Sequence, residues 1–349
     1  MTPEEIRTEL ERIAHEQGFP IFGVSSPTIA EENRQYFHDW LKNGFHGPLG
    51  YLQRRRDLDG GMEAVFPGAR SVIVVGAPYK KSDQNSRDTT PCGWVSRYAR
   101  GRDYHKAIEP RLKIMAKSLE SHGGRQRCMV DHGPVQERAY AFQAGLGFWG
   151  KNSCLIHPVF GSYFFIGIII TTLNLPQDSP QTGTCGECRR CLDACETGAL
   201  VAPFTVNAAV CLSCITVEKG SRTFPTMRHP WVLGCDACQE SCPWNKKAPE
   251  SNSDIFSEEH IPSRLPLREI LEMDSDTFRG RFSGSVAMRP GRKGMIRNAA
   301  MAAAHLKESS LLPELERLFK DEEDEITREF LDQAIKMLMM GKNEKGGLK

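Results

Sequence analysis

The chain has 349 residues, 26% of them charged, and a net charge of +1 with its histidines neutral. That length supports a large buried core and two or three domains, which excludes a small disulfide-stapled scaffold. The near-zero charge excludes a global field that would recruit nucleic acid, so any basic surface must be local.

Thr2 to Glu16 sets Ile6, Leu10 and Ile13 at helical spacing, with Thr2 as N-cap and Pro3 at the first helical position. Ser71 to Ala77, bounded by Pro67-Gly68 and Pro78, predicts a strand. Ile108 to His122 resumes a helical period and stops at Gly123-Gly124. Gln126 to Asp131 predicts a second strand, which leaves through Asp131-His132-Gly133-Pro134 into a helix around Glu137 to Ala144. Tyr163 to Thr172 predicts a third. Its apolar part is shorter than the roughly 20 residues of a membrane helix, so no membrane partner is expected. This alternation predicts an α/β domain over residues 1–178.

The polar stretch Pro176 to Thr184 reads as a linker into a cysteine-rich module over residues 179–250, and Pro249 to Pro266 as a second linker. Beyond it, Met295 to Leu306, Leu311 to Phe319 and Glu325 to Met339 carry helical patterns, so residues 251–349 read as a helical region like one α-solenoid unit. The last residues, Gly341 to Lys349, are expected to fray.

Nine of the twelve cysteines fall between Cys185 and Cys242. The run Cys185-x2-Cys188-x2-Cys191-x3-Cys195 has the spacing of two-cluster ferredoxins, in which the fourth cysteine crosses to the other cluster. The second run, Cys235-x2-Cys238-x3-Cys242-Pro243, is one ligand short, and Cys211 or Cys214 can supply it. Counting ligands gives Cys185, Cys188, Cys191 and Cys242 to one [4Fe-4S] centre and Cys195, Cys211, Cys235 and Cys238 to the other, with Cys214 surplus. Paired Cys-x2-Cys elements also build zinc sites, but four cysteines in one short run crowd a single ion. A disulfide framework fits neither the size of the chain nor a start without an apolar secretory stretch, so a reducing cytoplasm is the expected compartment. Cys92, Cys128 and Cys154 read as buried or incidental thiols.

Gly145-x-Gly147-x-x-Gly150 matches a dinucleotide fingerprint in form, but it follows a predicted helix where the fingerprint needs a strand. A tight turn or a close backbone approach explains its glycines better. Asp103-Tyr104-His105 begins like the Asp-x-His-x-x-Gly element with which some cobalamin enzymes present a histidine, yet Ile108 stands where the glycine belongs. Asp131 ends a strand before a turn, a place that suits a ligand-facing acid and equally a turn former.

Several blocks in order resemble the epoxyqueuosine reductase family, which completes queuosine at the wobble position of certain tRNAs. They are Gly44-Phe45-His46-Gly47 with Tyr51-Leu52, Pro67-Gly68-Ala69-Arg70-Ser71, and Ser96-Arg97-Tyr98-Ala99-x-Gly101-x-Asp103-Tyr104-His105. Asp131-x-Gly133-Pro134-Val135-x-Glu137-Arg138, Ala144-Gly145-Leu146-Gly147-Phe148-x-Gly150-Lys151-Asn152, Gly234-Cys235-Asp236-x-Cys238-Gln239-x-x-Cys242-Pro243-Trp244-Asn245 and Arg297-Asn298-Ala299 follow.

The resemblance implies an α/β cobalamin-binding domain like that of reductive dehalogenases, a bacterial-ferredoxin-like module with two [4Fe-4S] clusters, and a HEAT-like helical C-terminal region. It implies Asp131 as proton donor, and Arg56, Arg97, Tyr98, His105, Asn152, Ser213 and Asp236 as cobalamin contacts. An ordinary aspartate titrates about three units too low for a general acid at neutral pH, so burial beside the corrin would have to raise it. The implied partners are the anticodon arm of tRNA, with Lys219, Arg292, Lys293 and Arg297 as the phosphate-contacting rim, and a low-potential electron donor; a monomer is expected. The chain departs from the family's usual pattern with Glu196 after Cys195, Cys214 where a tyrosine is common, and His132 beside Asp131. Two other classes remain: a cobalamin and iron-sulfur reductase of a small molecule such as an organohalide, and an iron-sulfur electron carrier that is not an enzyme.

Overall fold

A computed structural model describes residues 1–57, 61–82, 90–256 and 259–346. Helix α1 (Pro3–Glu16) starts at the expected cap, where Thr2 N–H donates to Glu5 Oε2 (2.8 Å) and Glu5 N–H donates to Thr2 Oγ1 (3.2 Å). This reciprocal pair satisfies two of the donors that a helix start leaves open. There follow β1 (Ile21–Ser25), α2 (Glu31–Lys42), α3 (Met62–Val65), β2 (Ser71–Pro78), β3 (Cys92–Val95), α4 (Tyr104–Glu120), β4 (Gln126–Met129), α5 (Glu137–Gln143), β5 (Phe148–Trp149), β6 (Leu155–Ile156) and β7 (Phe164–Thr171).

The main sheet has the order β1-β2-β7-β4, and all three pairings are antiparallel. No parallel crossover therefore sets the position of Asp131. All eight residues of β2 are buried because both faces are covered. Ile73, Val75 and Ala77 pack with α1 and α4, whereas Val72 and Val74 face α5. Burying each such aliphatic side chain contributes about 1.5–3 kcal/mol, so the central strands anchor whatever sits at their ends.

The cysteine-rich segment forms α6 (Arg190–Ala194), β8 (Leu200–Ala202), β9 (Thr205–Val206), α7 (Leu212–Val217), β10 (Trp231–Leu233), α8 (Ala237–Glu240) and α9 (Pro243–Lys247). The tail adds β11 (Arg264–Pro266), α10 (Leu267–Glu272), α11 (Ser275–Phe282), α12 (Gly291–Leu306), α13 (Leu312–Asp321) and α14 (Glu325–Gly346). Helix thus continues past Gly341, where fraying was expected, and residues 347–349 lie outside the described ones.

The three segments share their cores. Strand β3 pairs in parallel with β10 and antiparallel with β11, so a strand from the N-terminal third lies between one from the cysteine module and one from the tail. Val95 and Ala99 accordingly bury among Ile296, Ala299 and Ala303 of α12. The first polar linker is also tied down: Asp178 takes Arg7 (2.8 Å) and the Val24 N–H (2.8 Å).

Candidate functional site

Asp131 follows buried Val130 just beyond β4 and adopts a left-handed backbone, φ 55°, which aspartate tolerates better than most side chains. Its N–H donates to Glu137 Oε1 (2.6 Å), and its Oδ2 accepts from the Tyr104 hydroxyl (2.6 Å). Tyr104 opens α4, with its ring stacked on Phe165 (4.3 Å between centroids) and on His105 (4.1 Å). Burial first, then the charge and hydrogen bond of Asp131, push the Tyr104 phenol far above the ordinary tyrosine range. It therefore stays a donor. Asp131 itself is exposed, so the burial expected to keep it protonated does not come from the chain's own atoms.

Two histidines stand beside it. His132 Nδ1 bonds the Val130 carbonyl (2.6 Å), so that nitrogen carries the proton and Nε2 is left as the acceptor in the neutral ring. His105 Nδ1 pairs with Asp103 Oδ1 (2.8 Å), and the two imidazoles lie 6.0 Å apart. From the tail comes Arg289, its Nε donating to Glu218 Oε1 (2.8 Å). Burial opposes its charge, but Glu218 outweighs that and raises its pKa, with smaller contributions from Tyr51 and Asp131.

All twelve cysteines are free thiols. Among the described residues, no three Cys, His, Asp or Glu side chains close tightly enough on one point to hold a single metal ion, which a zinc site requires. The thiols instead sort into two groups by the charges they feel. Cys191 feels Cys185 and Cys242, and Cys242 feels Cys185 and Cys188. Cys211 feels Cys195, while Cys235 and Cys238 both feel Cys211. Burial raises the pKa of Cys211, Cys235 and Cys242, and backbone N–H groups oppose it: Ser213 and Cys214 toward Cys211, Ala237 toward Cys235, Trp244 and Asn245 toward Cys242. Donors of this kind favour the thiolate that binds iron.

Cys214 differs. Burial pushes its thiol up to about 12, and beyond Cys211 its charged neighbours are Glu218, Arg289 and Arg297. Cys154, read from sequence as a buried or incidental thiol, is raised to about 11 by burial and feels Cys242, Cys211 and Cys191, members of both groups.

The expected cobalamin contacts fall into two kinds. Arg97 and Asp236 hold each other, with Arg97 N–H on Asp236 Oδ2 (2.7 Å) and the guanidinium also on Glu240 (2.6 Å). Burial lifts Asp236 to about 6, against the N–H and charge of Arg97. Tyr98 packs against Gly234, where φ is 71° and an added Cβ would lie 2.8 Å from the ring, so only glycine fits. Asn152 is buried and its Nδ2 has no partner among the described residues; Ser96 Oγ is in the same condition. Ser213 is half-buried at the start of α7. The Arg56 side chain lies outside the described ones. The Gly145 to Gly150 turn does follow a helix, and a Cβ on Gly147 would come within 2.4 Å of the Ile156 carbonyl, so close approach of β5 to β6 explains it.

The expected RNA rim is corrected at one residue. Arg297 is 2% exposed. Its guanidinium donates to the carbonyls of Ile215, Glu218 (3.2 Å) and Ser221 (3.3 Å) and lies over the Phe330 ring. It closes the C-terminal end of α7, which begins beside Cys211, and has no freedom to meet a phosphate. Lys219 and Lys293 are exposed, Lys293 on Glu322 (2.8 Å), and Arg292 Nε donates to the Met273 carbonyl (2.6 Å). Sequence reasoning gave no role to Tyr104 or Glu137, and it placed Arg289 only in the local basic run Arg289, Arg292, Lys293 and Arg297. The first two sit inside blocks already quoted, and Arg289 stands in a run of tail cations that sequence alone could not orient.

Residues 61–132 match the family model described as epoxyqueuosine reductase QueG, DUF1730, and residues 184–245 match the 4Fe-4S double cluster binding domain. The cysteine module is therefore a two-cluster iron-sulfur domain. The epoxyqueuosine reductase of Pseudomonas aeruginosa is 33% identical over 96% of this chain and 95% of its own length. That of Atelocyanobacterium thalassa is 35% identical over 84% of this chain and 98% of its own. Among solved structures, the Streptococcus thermophilus epoxyqueuosine reductase superposes with TM-score 0.81 at 27% identity, over 96% of this chain and 91% of that one. An epoxyqueuosine reductase solved with an epoxyqueuosine-modified tRNA-Tyr stem loop also gives TM-score 0.81, at 26% identity over 96% of this chain and 99% of that one. With relatives above 30% identical along most of its length, this chain belongs to the epoxyqueuosine reductase family of oxidoreductases.

Proposed function

We propose that this chain removes the epoxide oxygen of epoxyqueuosine at the wobble position of tRNA, with Asp131 as proton donor. The reaction takes two electrons and two protons, leaves a carbon-carbon double bond and releases water. Cobalamin, when bound, would supply the two-electron chemistry at the epoxide, and the clusters would be the route of its electrons. We assign Cys185, Cys188, Cys191 and Cys242 to the first cluster and Cys195, Cys211, Cys235 and Cys238 to the second, in line with the charges each thiol feels.

The observation that carries the reading is the setting of Asp131. Tyr104 holds Oδ2 and Glu137 holds the backbone N–H, which leaves Oδ1 to address the opening epoxide oxygen and deliver a proton. Tyr104 remains neutral and fixes the carboxyl rather than giving up its own proton. The unpartnered Asn152 Nδ2 and Ser96 Oγ are buried donors that the polar periphery of a bound cofactor would satisfy. Tyr98 and Ser213 complete that wall, and Arg97 with Asp236 acts by fixing the loop that carries Cys235 and Cys238. His105, held by Asp103, supports Tyr104.

The tail serves as a HEAT-like unit facing the anticodon arm, with Arg289, Arg292 and Lys293 as its cations and Lys219 of the cysteine module beside them. A single base brought out of its stack needs only a pocket and such a rim. Expression of this chain in cells that lack their own epoxyqueuosine reductase tests the proposal. Queuosine should replace epoxyqueuosine in their tRNA, and the Asp131→Asn variant should leave epoxyqueuosine in place. Persistence of epoxyqueuosine with the wild-type chain, expressed and loaded with clusters, would contradict it.

A further inference from the structure

The two cluster sites differ in how they meet solvent. Every residue between the ligands Cys185 and Cys191 other than Cys188 is exposed: Gly186, Glu187, Arg189 and Arg190. From Cys211 to Cys214 and from Cys235 to Gln239 no residue is exposed. The second group also neighbours the residues around Asp131: Tyr98, in the loop that leads into Tyr104, packs on Gly234 beside Cys235, and the Glu218 N–H donates to the Cys214 carbonyl (2.8 Å) while Glu218 Oε1 accepts from Arg289 Nε (2.8 Å). Electrons therefore have an outer entrance at the first cluster and an inner exit at the second.

That entrance is locally basic. Arg189 and Arg190 flank Cys188 and Cys191, and Lys246 and Lys247 follow Cys242 on α9; all four are exposed. The two segments meet at the cluster, where Cys242 feels Cys185 and Cys188 and packs with Cys185 and Trp244. Glu187 and Asp193 are the exposed carboxylates in these segments, so cations outnumber them two to one on a chain whose net charge is only +1. An apolar tip is tied to the same cluster loop through Lys151. Phe204, 43% exposed, is held at φ 68°, a costly conformation for an aromatic residue. Its carbonyl accepts from Tyr36 and Ser153, and its N–H donates to the Lys151 carbonyl. Lys151 Nζ in turn donates to the carbonyl of Gly186 in the cluster loop (2.6 Å).

We infer that this face, Arg189, Arg190, Lys246 and Lys247 with Phe204 tied to the same cluster loop, docks a small acidic one-electron carrier protein of the ferredoxin or flavodoxin class. Small interfaces of this kind suffice for transient redox encounters, and opposite charge raises the encounter rate by about 10- to 1,000-fold at low salt. In each encounter the carrier loses one electron and the first cluster gains one; two encounters supply one epoxide reduction. RNA would also seek cations, but its reacting nucleotide must reach Asp131, whose neighbours are Tyr104 and Arg289 rather than this loop. The inference rests on the two-cluster assignment above, and its test reads cluster reduction rather than turnover.

The anaerobic holoprotein is mixed with a reduced acidic flavodoxin while the visible absorbance of the clusters is followed at low and high salt. For the wild type, reduction should be fast and slow at least tenfold as salt rises. The Arg189→Glu/Arg190→Glu variant, and separately Lys246→Glu/Lys247→Glu, should be reduced at least tenfold more slowly at low salt. Both should take electrons from photoreduced deazariboflavin, a small neutral reductant, at the wild-type rate. Equal rates with flavodoxin in variant and wild type, or a wild type that flavodoxin fails to reduce, would overturn the inference. So would weaker binding of the tRNA stem loop with flavodoxin reduction unchanged, which would make this an RNA face. If flavodoxin and deazariboflavin both reduce the clusters as expected but epoxyqueuosine is never converted, the docking inference stands and the proposed reaction fails.

Discussion

Arg297 gives the sharpest test of how the tail serves the site. Replacing it with methionine keeps most of its volume, avoiding a large cavity, but removes the donors to the buried carbonyls of Ile215, Glu218 and Ser221. Hydrogen bonds to a charged group contribute about 1.5–3 kcal/mol each. Part of that is offset, because burying the guanidinium is itself unfavourable and lowers its pKa to about 10. A net loss of about 3–5 kcal/mol remains, because three carbonyls are left without their donors. Arg297→Lys should recover only part of it, since a single ammonium cannot span three carbonyls as a planar guanidinium does. The assay is denaturant unfolding of the anaerobic protein, with an iron count, because α7 carries Cys211 at its start and should loosen at its far end. The salt dependence of tRNA binding should keep its slope. Unchanged stability, together with a salt slope reduced by about 0.7, the value expected for one lost phosphate contact, would return Arg297 to the RNA rim and refute this reasoning.

Four further outcomes are expected. Asp131→Asn should leave cluster content and folding unchanged and cut turnover by at least 100-fold, within the range that a positioned acid supplies; near-wild-type turnover would remove Asp131 from the mechanism. Tyr104→Phe should lower turnover about tenfold while preserving iron and stability, because it frees Oδ2 without removing the acid. Cys211→Ala should lose about half of the bound iron, whereas Cys214→Ala should lose none, and the reverse result would exchange their roles. His157 is held neutral, at about 4 against an ordinary 6.5, by burial, and its Nδ1 accepts from the Val159 and Phe160 N–H groups. The unfolded chain takes up this proton below about pH 6.5 and the folded one only near pH 4, so stability should fall as pH drops through that window. With allowance for partial exposure the loss is on the order of 2–3 kcal/mol. His157→Asn, which keeps an acceptor, should flatten that fall as measured by denaturant midpoints.

Periodicity carried the fold where elements are long or buried on both sides. The apolar runs behind β2 and β7 and the Thr2 cap of α1 were legible. The three- to five-residue strands β1, β3, β10 and β11 were not, because so few residues cannot display a period. Strand β3 also takes its place from partners more than a hundred residues away. Helix α4 begins at Tyr104, four residues before Ile108, its first buried aliphatic and the start read from periodicity, because Asp103 caps it. At the site, cysteine spacing was informative because four ligands per cluster is a counting constraint. Charge was not, because a cation in the sequence does not say which way it faces. The overlooked signal was α12, apolar on every side and buried from Gly294 to Ala304, where an arginine must find its partners inside.

The central claim is that this chain takes the epoxide oxygen from a wobble nucleoside. Purified protein loaded anaerobically with clusters and cobalamin, given a strong reductant and an epoxyqueuosine-containing anticodon stem loop, should yield a nucleoside lighter by one oxygen in mass spectrometry. An unchanged nucleoside mass, in a preparation shown to hold both clusters and cobalamin and to bind the stem loop, would contradict it.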